Sequence, residues 1–292
     1  MKRILITGGT GQIGTELVRR QWPEGFEILS PSRAGLDLSD AGALKAFIRE
    51  GNLDAVINPA AFTAVDRAES DVTDAFTVNA LAPAALAEAT RQCAIPLVHV
   101  STDYVFDGTG KGACDEDAPM NPVNVYGASK AAGEYAVRLG NPRHVILRTA
   151  WVFSPHGSNF VKTMLRLADR PKLQVVNDQH GCPTSAGDIA AALMTIALRL
   201  VDDPDAPTGT YHFVNKDPVT WHGFASAIFE REAAAGRSVP LIEAISTKDY
   251  PTPARRPANS ILSTRKLTRD YGISPRSWTE ALDETLAALR PA

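Results

Sequence analysis

The chain has 292 residues, a formal net charge of -3 and 22% charged side chains, which suits a soluble globular protein with one large core or two interleaved ones. No long run of Lys and Arg is present, which argues against a nucleic-acid surface because phosphate binding needs clustered basic groups. The three cysteines, Cys93, Cys114 and Cys182, are far apart and form no CxxC pair, so neither a disulfide framework nor a zinc site is predicted.

These totals favour a reducing, cytoplasmic setting. Met1–Arg3 runs directly into a strand-like segment, so no signal peptide is predicted. The apolar runs elsewhere are too short or too interrupted to span a bilayer. We therefore expect no contact with a membrane.

The N-terminus reads as strand, glycine turn and helix. An aliphatic run over 3–7 is followed by glycines at 8, 11 and 14 and then by a helical pattern through Leu17 and Val18. Such glycines allow a tight turn, close approach of a diphosphate and close packing of helix on strand. The spacing is GxxGxxG rather than GxGxxG, and a simple turn is the alternative.

A second strand is predicted over 26–30, and the residues after it are where such folds select the adenosine ribose. No acid stands there. Ser32 and Arg33 occupy the region and suit a 2′-phosphate, which favours NADP over NAD. The alternative is that Arg33 is a solvated loop residue.

Three further elements follow. A helix is predicted over about 41–50 with Asp40 or Ser39 as N-cap, and a buried parallel strand over 54–58. The small residues of 59–63 would let a cofactor lie against the backbone, or would simply pack tightly. A scaffold helix is predicted over about 71–92, with a kink at Pro83.

A fourth strand over 95–100 ends in the stretch Ser101–Phe106. Hydroxyls at the carboxyl end of a parallel strand lie where such sheets bind ligands. Thr102 is thus a candidate donor to a substrate carbonyl oxygen, where charge develops on reduction. Alternatively, Ser101 and Thr102 only cap the following turn.

Tyr126 and Lys130 stand four residues apart, a spacing that places both on one face of a helix. An adjacent cation favours the phenolate and lowers a tyrosine pKa towards the working range. Tyr126 is therefore a candidate proton donor and Lys130 its tuner. The alternative is a surface helix that carries this pair by chance.

A fifth strand is predicted over 144–149, followed by Trp151, which suits either stacking on a planar base or a place in the core. The alternation of strands and helices to this point predicts an α/β fold of the Rossmann type, a doubly wound parallel sheet, over 1–150. Frequent prolines then indicate a smaller, loop-rich lobe over 151–292.

Strands over 173–176 and 209–214 and helices over 186–200 and 221–232 are predicted in this lobe, and we expect about 186–214 to return to the first domain. Arg255 and Arg256 suit a diphosphate, or form a solvated pair. The six histidines show no ligand spacing, so no catalytic metal is predicted.

Taken together, the stretches 8–14, 58–69, 101–106, 126–130, 148–152 and 256–260 resemble the extended short-chain dehydrogenase/reductases, and within them the dTDP-4-dehydrorhamnose reductase family. The resemblance covers nearly the whole chain. It implies that NADPH or NADH reduces the C4 ketone of a dTDP-4-dehydro sugar. Tyr126 would protonate the new alkoxide, Lys130 would hold the nicotinamide ribose and Thr102 would orient the carbonyl.

The same resemblance implies the remaining site residues. Those implied at the cofactor are Gly8, Thr10, Gly11, Gln12, Ile13, Ser32, Arg33, Asp37, Leu38, Ala60, Ala61, Thr63, Ser101, Tyr126 and Lys130. Those implied at the substrate are Thr102, Asp103, Tyr104, Tyr126, Trp151 and Arg256, with Trp151 stacking on thymine. Glu16 matches an acid that in some relatives helps hold Mg²⁺ at a homodimer interface.

Alternatives stay open at this point. Related dehydratases carry Glu directly after the Asp that follows the strand-end Thr, whereas here Asp103 is followed by Tyr104, so water elimination is disfavoured. Another nucleotide-sugar 4-ketoreductase or epimerase uses the same scaffold. A non-catalytic NADP-binding regulatory subunit is a third possibility, against which the complete Thr102, Tyr126 and Lys130 set speaks.

Overall fold

The computed structural model describes residues 1–290, so the last two residues of the predicted second lobe lie outside the description. The strands are β1 Lys2–Ile6, β2 Phe26–Leu29, β3 Ala55–Asn58, β4 Leu97–Thr102, β5 His144–Thr149, β6 Val152–Phe153, β7 Lys172–Val176, β8 His180–Gly181, β9 Thr184–Ser185, β10 Gly209–His212, β11 Val219–Thr220, β12 Leu241–Ile245 and β13 Asn259–Ser260.

The helices alternate with these strands through the first half of the chain. They are α1 Gln12–Arg19, α2 Ala41–Glu50, α3 Val65–Ala68, α4 Val72–Phe76, α5 Ala82–Gln92, α6 Val125–Gly140, α7 Phe160–Arg166, α8 Ala186–Asp202, α9 Trp221–Ala234, α10 Arg265–Tyr271 and α11 Trp278–Leu289, with a π turn over Thr77–Leu81 and 3₁₀ turns over Asp103–Val105 and Thr247–Asp249.

Six parallel strands form the central sheet, in the order β10-β5-β4-β3-β1-β2. One face packs on α1 and α8 through residues such as Ile4, Ile6 and Ile189, and the other face packs on α2 and α5 through residues such as Leu5 and Leu86. Covered on both faces, these strands are largely apolar in their centres, as buried parallel strands are. The predicted doubly wound α/β fold is confirmed.

The second half of the chain supplies the smaller sheets. Strand β7 pairs with β12, and a separate apolar cluster of α7, α9 and α11 packs beside them. Strand β10 adds to the edge of the central sheet, and α8 packs on α1. The division of the chain at residue 150 stays a prediction. No helix within residues 1–290 is both long enough and apolar enough to cross a bilayer.

The helix predicted over about 71–92 takes a more irregular course. It consists of α4, the π turn and α5, and the Ala82 amide donates to the Thr77 carbonyl five residues back. Pro83 has no N–H, so the Asn79 carbonyl lacks its α-helical partner and the chain widens before the proline. Helix α6 packs closely here, since a Cβ at Gly133 would lie 2.0 Å from the Asn79 oxygen.

Candidate active site

The candidate site lies along the carboxyl ends of the parallel strands, where the chain changes direction. It passes outward from β1 to β2 and then returns to β3 on the other side of β1. Open α/β sheets bind ligands at such a reversal. Thr7, Asn58 and Thr102 all lie at strand ends along this edge and are buried.

The glycine turn after β1 fits a dinucleotide. Gly8 has φ +59°, and a Cβ at Gly14 would lie 2.1 Å from the Gly8 oxygen. A side chain at Gly14 would therefore push the turn away from α1, and one at Gly8 would meet Ala60 at 2.9 Å in a backbone conformation that favours glycine. The turn borders a cavity of about 420 Å³, large enough for a nucleotide.

Most residues predicted at the cofactor meet in this cavity. Its lining includes Gly8, Thr10, Ser32, Arg33, Asp37, Leu38, Ala60 and Ala61. Gly11, Gln12 and Ile13 form the start of α1, and Thr63 is exposed and outside the lining. The buried Ser101 hydroxyl has no partner within residues 1–290, which leaves it free for a ligand.

Arg33 is solvent-exposed at the open end of the cavity. Its Nε lies 3.7 Å from Asp37 Oδ2, and its side chain is 85% exposed. Hydrogen bonds from the backbone and side chain of Ser39 lower the pKa of Asp37, and Arg33 adds to the effect. An exposed guanidinium can leave a weak surface pair for a phosphate at little cost.

Tyr126 and Lys130 lie in the first turns of α6, and both are buried. Asn124 caps this helix by accepting from the Gly127 amide at 2.7 Å. A Cβ at Gly127 would lie 2.2 Å from the Tyr104 oxygen, so glycine lets α6 approach the segment after β4. The Tyr126 ring packs edge-on against Tyr104, with centroids 5.4 Å apart.

The electrostatics of the pair differ from the prediction. Burial raises the pKa of Tyr126, whereas the spacing predicted a lowered value. Lys130 Nζ donates to the Val100 carbonyl at 2.7 Å and lies 3.4 Å from His99 Nε2. The amino group is therefore directed to these atoms rather than to the Tyr126 phenol. Burial also lowers the pKa of Lys130 to about 8. The phenol is therefore held protonated at neutral pH.

Thr102 connects the end of β4 to the turn that follows. Its Oγ1 accepts from the Tyr104 amide at 3.2 Å and lies 3.0 Å from Asp103 Oδ1, and the neighbouring Thr102 side chain lowers the pKa of Tyr126 against the larger effect of burial. Thr102 thus caps the turn and also faces Tyr126. The two roles predicted for it, a cap of the turn and a donor in the site, are therefore compatible.

Asp103 is buried, and its Oδ2 has no partner within residues 1–290. Burial raises the pKa of this carboxyl to about 6, and the neighbouring hydroxyl groups of Ser260 and Thr102 lower it by less. An unpaired oxygen of this kind is costly unless a ligand satisfies it.

A second cavity, of about 460 Å³, opens beside Tyr104 and Arg256. Its other lining residues are Val65, Asp66, Phe160, Thr163, Met164, Leu167, Leu173, Gln174, Val175, Val176, Gln179, Trp221, Tyr250 and Thr252. The mixture of aliphatic walls, aromatic rings and a few polar groups suits a nucleoside. We call this space the nucleotide cavity.

Trp151 reaches this region through another ring. Its indole stacks on Trp221 with centroids 3.5 Å apart and planes 11° apart, and it is Trp221 that lines the cavity. One face of the Trp151 indole is therefore covered by Trp221, and its stacking on thymine stays a prediction. Trp151 also has φ +51°, which non-glycine residues rarely adopt outside functional or strained sites.

The two adjacent arginines separate. Arg256 Nη2 donates to Asp66 at 2.8 Å, and its buried Nη1 has no partner within residues 1–290. Arg255 is exposed and lines a surface depression that Arg256 also borders, but it does not line the nucleotide cavity. Only Arg256 thus has an unpaired donor beside the nucleotide cavity.

Sequence reasoning missed most of the nucleotide cavity. Helix α7, strand β7 and Trp221 carry no motif, and their residues meet only through tertiary packing. Phe62, which lines the first cavity, and Asn79, whose side chain bonds to Phe62 N at 2.8 Å and to Ser129 Oγ at 3.0 Å, were also missed.

The predicted Mg²⁺ contact at Glu16 stays untested. Glu16 Oε1 lies 3.4 Å from His156 Nε2. Among residues 1–290, no three His, Cys, Asp or Glu side chains are grouped as metal ligands would be.

Comparison with known proteins gives consistent matches over nearly the whole chain. The family model described as the RmlD substrate binding domain matches residues 1–290. A dTDP-4-dehydrorhamnose reductase from Sinorhizobium fredii is 44% identical over 290 residues, which cover 98% of this chain and 97% of the relative.

Solved structures agree with the sequence matches. A dTDP-4-dehydrorhamnose reductase from Clostridium acetobutylicum superposes with a TM-score of 0.91 at 36% identity, covering 98% of this chain and 99% of the other. The enzyme of the same name from Bacillus anthracis, in complex with NADP, superposes with a TM-score of 0.89 at 33% identity, covering 99% and 100%.

Proposed function

The chain belongs to the family described as the RmlD substrate binding domain, and on that premise we propose that it is an oxidoreductase. Its reaction is the NAD(P)H-dependent reduction of dTDP-4-dehydro-L-rhamnose at the C4 ketone, giving dTDP-L-rhamnose. This is the activity named for its full-length relatives, and it places the protein in dTDP-rhamnose and cell-surface polysaccharide biosynthesis.

One observation carries the proposal: the phenol of Tyr126 stands between the two cavities. It packs in one cluster with Phe62, which lines the first cavity, and with Tyr104, which lines the second. A proton donor in that position reaches a ketone brought in from one side and a reductant held on the other.

The first cavity fits the dinucleotide, as the glycine turn at its border indicates. When bound, the nicotinamide supplies the hydride. Gly11, Gln12 and Ile13 hold the diphosphate at the start of α1, while Asp37 and Leu38 lie near the adenine. Ser32 and Arg33 receive a 2′-phosphate, so NADPH is preferred over NADH.

Tyr126 acts as the general acid that protonates the alkoxide formed at C4. Burial keeps the phenol protonated, which is the form that a reduction consumes. Thr102 donates to the ketone oxygen and stabilises the charge that develops there. Lys130 turns from the Val100 carbonyl to the nicotinamide ribose and brings its charge towards Tyr126, which lowers the phenol pKa as the proton leaves.

The nucleotide cavity receives the dTDP moiety. Arg256 Nη1 supplies a charge-assisted bond to the diphosphate, Trp221 and Phe160 cover the base, and Trp151 supports Trp221 from behind. Asp103 and Tyr104 contact the sugar. The absence of Glu after Asp103 favours reduction over water elimination.

Three further expectations stay predictions: a homodimer, Mg²⁺ at Glu16 and a cytoplasmic location. All three cysteines are unpaired in residues 1–290, which is compatible with a reducing compartment.

The test is NADPH oxidation by the purified protein with freshly generated dTDP-4-dehydro-L-rhamnose, followed by identification of the product. One dTDP-L-rhamnose per NADPH consumed is the expected result. Interconversion of dTDP-sugars without net NADPH consumption would indicate an epimerase. Cofactor binding without turnover of any keto-sugar nucleotide would favour the regulatory subunit and contradict the proposal.

A further inference from the structure

The first residue of α1, Gln12, is held by the segment that leads into α7. Its side-chain oxygen Oε1 receives a hydrogen bond from Asn159 Nδ2 at 2.9 Å. It also lies 3.1 Å from Ser154 Oγ, whose single hydroxyl proton is shared between this oxygen and the His156 carbonyl at 2.9 Å. Both donors lie more than 140 residues away along the chain. Ser154 is fully buried, so the contact is part of the packed structure.

The segment 154–159 is shaped around this amide. Asn159 Nδ2 also donates to the Ser154 carbonyl at 2.8 Å, and Ser154 Oγ accepts from the His156 amide at 3.1 Å. Gly157 has φ +62°, and a Cβ there would lie 3.2 Å from Gln12 Cγ. The loop therefore closes over the Gln12 side chain, and its own polar groups fix the two donors.

An amide whose oxygen is held on one side must direct its NH₂ group to the other. Gln12 Nε2 makes no hydrogen bond to the part of the chain that is described, and the N-cap of α1, Gly11, offers no side chain to the first turn. Both the free end of Gln12 and the unpaired amides of the first turn therefore remain available at this helix terminus.

We propose that Ser154 and Asn159 are positioning residues that orient Gln12, so that Nε2 joins the α1 amides as a donor to the cofactor diphosphate. This inference rests on the NADP(H) binding of the proposed function. Without the two donors the amide is free to reverse, and its oxygen would then face an anion.

Asn159 also has a second role in the structure. Its Oδ1 caps α7 by accepting from the Lys162 amide at 3.1 Å. Phe160, Thr163 and Met164 of α7 line the nucleotide cavity. One side chain therefore holds the cofactor-facing glutamine and begins a wall of the substrate site, and the two roles use different atoms.

The substitution Asn159→Asp separates these roles. A carboxylate still caps α7 but cannot donate to Gln12 Oε1, and it attracts Nε2 away from the diphosphate. We expect NADP⁺ to bind about 10- to 100-fold more weakly, the range for a lost hydrogen bond to a charged group. The affinity for dTDP should stay unchanged because the cap is kept, whereas the melting temperature should fall because the carboxylate cannot donate to the Ser154 carbonyl.

Two controls test whether Asn159 acts through Gln12. Adenosine 2′-phosphate lacks the diphosphate, so its affinity should be the same in wild type and Asn159→Asp. In a Gln12→Ala background, Asn159→Asp should cause no further loss of NADP⁺ affinity. Ser154→Ala removes one donor and leaves the cap untouched, and a loss of about threefold is expected from a single neutral hydrogen bond.

Titration calorimetry with NADP⁺, dTDP and adenosine 2′-phosphate measures the affinities of wild type and variants for each ligand. Unchanged NADP⁺ affinity in Asn159→Asp and Ser154→Ala would overturn the inference. So would an equal loss for adenosine 2′-phosphate, or a full loss in the Gln12→Ala background. Wild-type protein that binds NADP⁺ but reduces no keto-sugar would contradict the proposed reaction alone, while wild type that binds no NADP⁺ would overturn both.

Discussion

The cofactor side of the cleft is formed largely by main chain from short stretches that follow strands, whereas the substrate side is formed by side chains from distant parts of the chain. Gly8 and Gly14 shape the first side by lacking a Cβ. Asp66, Phe160, Trp221 and Arg256 form the second side only after the whole chain has folded. The cofactor side should therefore respond to changes in backbone shape, and the substrate side to loss of single functional groups.

The largest effect on ligand binding is expected from Gly14→Ala. The new Cβ would lie 2.1 Å from the Gly8 oxygen, and relieving such an overlap costs about 1–3 kcal/mol, or up to roughly 100-fold in NADP⁺ affinity. Binding of dTDP should be unaffected. Gly110→Ala, where a Cβ meets nothing within 4 Å, is the matched control. Equal loss of dTDP binding in Gly14→Ala would show that the two sides are not independent.

On the substrate side, Arg256→Met should raise the KM for the dTDP-sugar about 10- to 100-fold, as expected for a lost charge-assisted bond. Its partner Asp66 is partly exposed, so the unpaired carboxylate stays hydrated. The KM for NADPH should not change, and steady-state kinetics with each substrate varied in turn measures both. A similar KM increase in Arg255→Met would contradict the assignment to Arg256.

Lys130 gives a pH dependence with two opposite signs. Its pKa is lowered from 10.5 to about 8 by burial, so the ammonium that would hold the ribose is lost above pH 8. NADP⁺ affinity should then fall by up to about tenfold per pH unit. Folding stability should rise between about pH 8 and 10.5, because there the unfolded chain binds the additional proton.

Both trends should disappear in Lys130→Met. Calorimetric titration with NADP⁺ and thermal unfolding, each from pH 7 to 10, measure them. An NADP⁺ affinity of wild type that is flat through this range would remove Lys130 from the ribose site.

The smallest effect, a decrease in kcat/KM with NADPH, is expected from Arg33→Ala. The side chain is mostly exposed and only weakly paired with Asp37, so its phosphate contact is worth only about three- to tenfold. The kcat/KM with NADPH should fall by that factor while that with NADH stays constant. Arg49→Ala, at an exposed position on α2, is the control. An unchanged cofactor ratio would count against the role of Arg33.

The same contrast explains what the sequence predicted well. The six strands of the central sheet depend on local patterns, and the bounds of each lie within two residues of those predicted. The glycine turn and the helical placement of Tyr126 and Lys130 likewise depend on local patterns. The π turn before Pro83 depends on the Asn79 carbonyl, which loses its hydrogen-bond partner, and on the packing of α6 against it. The sequence therefore predicted only a kink.

The predictions that failed concern contacts that form only when the chain has folded. The contact of Asp66 with Arg256 joins residues 190 positions apart, and no motif predicts it. The pKa of Tyr126 was expected to fall from its spacing to Lys130, but burial of the phenol and the turn of Lys130 towards the Val100 carbonyl decide its direction. Spacing places two side chains on one face of a helix, and packing determines which atoms they meet.

The most direct test of the account is the turnover of Tyr126→Phe beside wild type, with NADPH and dTDP-4-dehydro-L-rhamnose. The Tyr126 ring packs in one cluster with a residue from each cavity, and general-acid catalysis contributes about 100-fold or more. The account predicts a loss of at least that size in kcat with unchanged NADP⁺ and dTDP affinities. Equal turnover in the variant would contradict the assignment of Tyr126 as the proton donor.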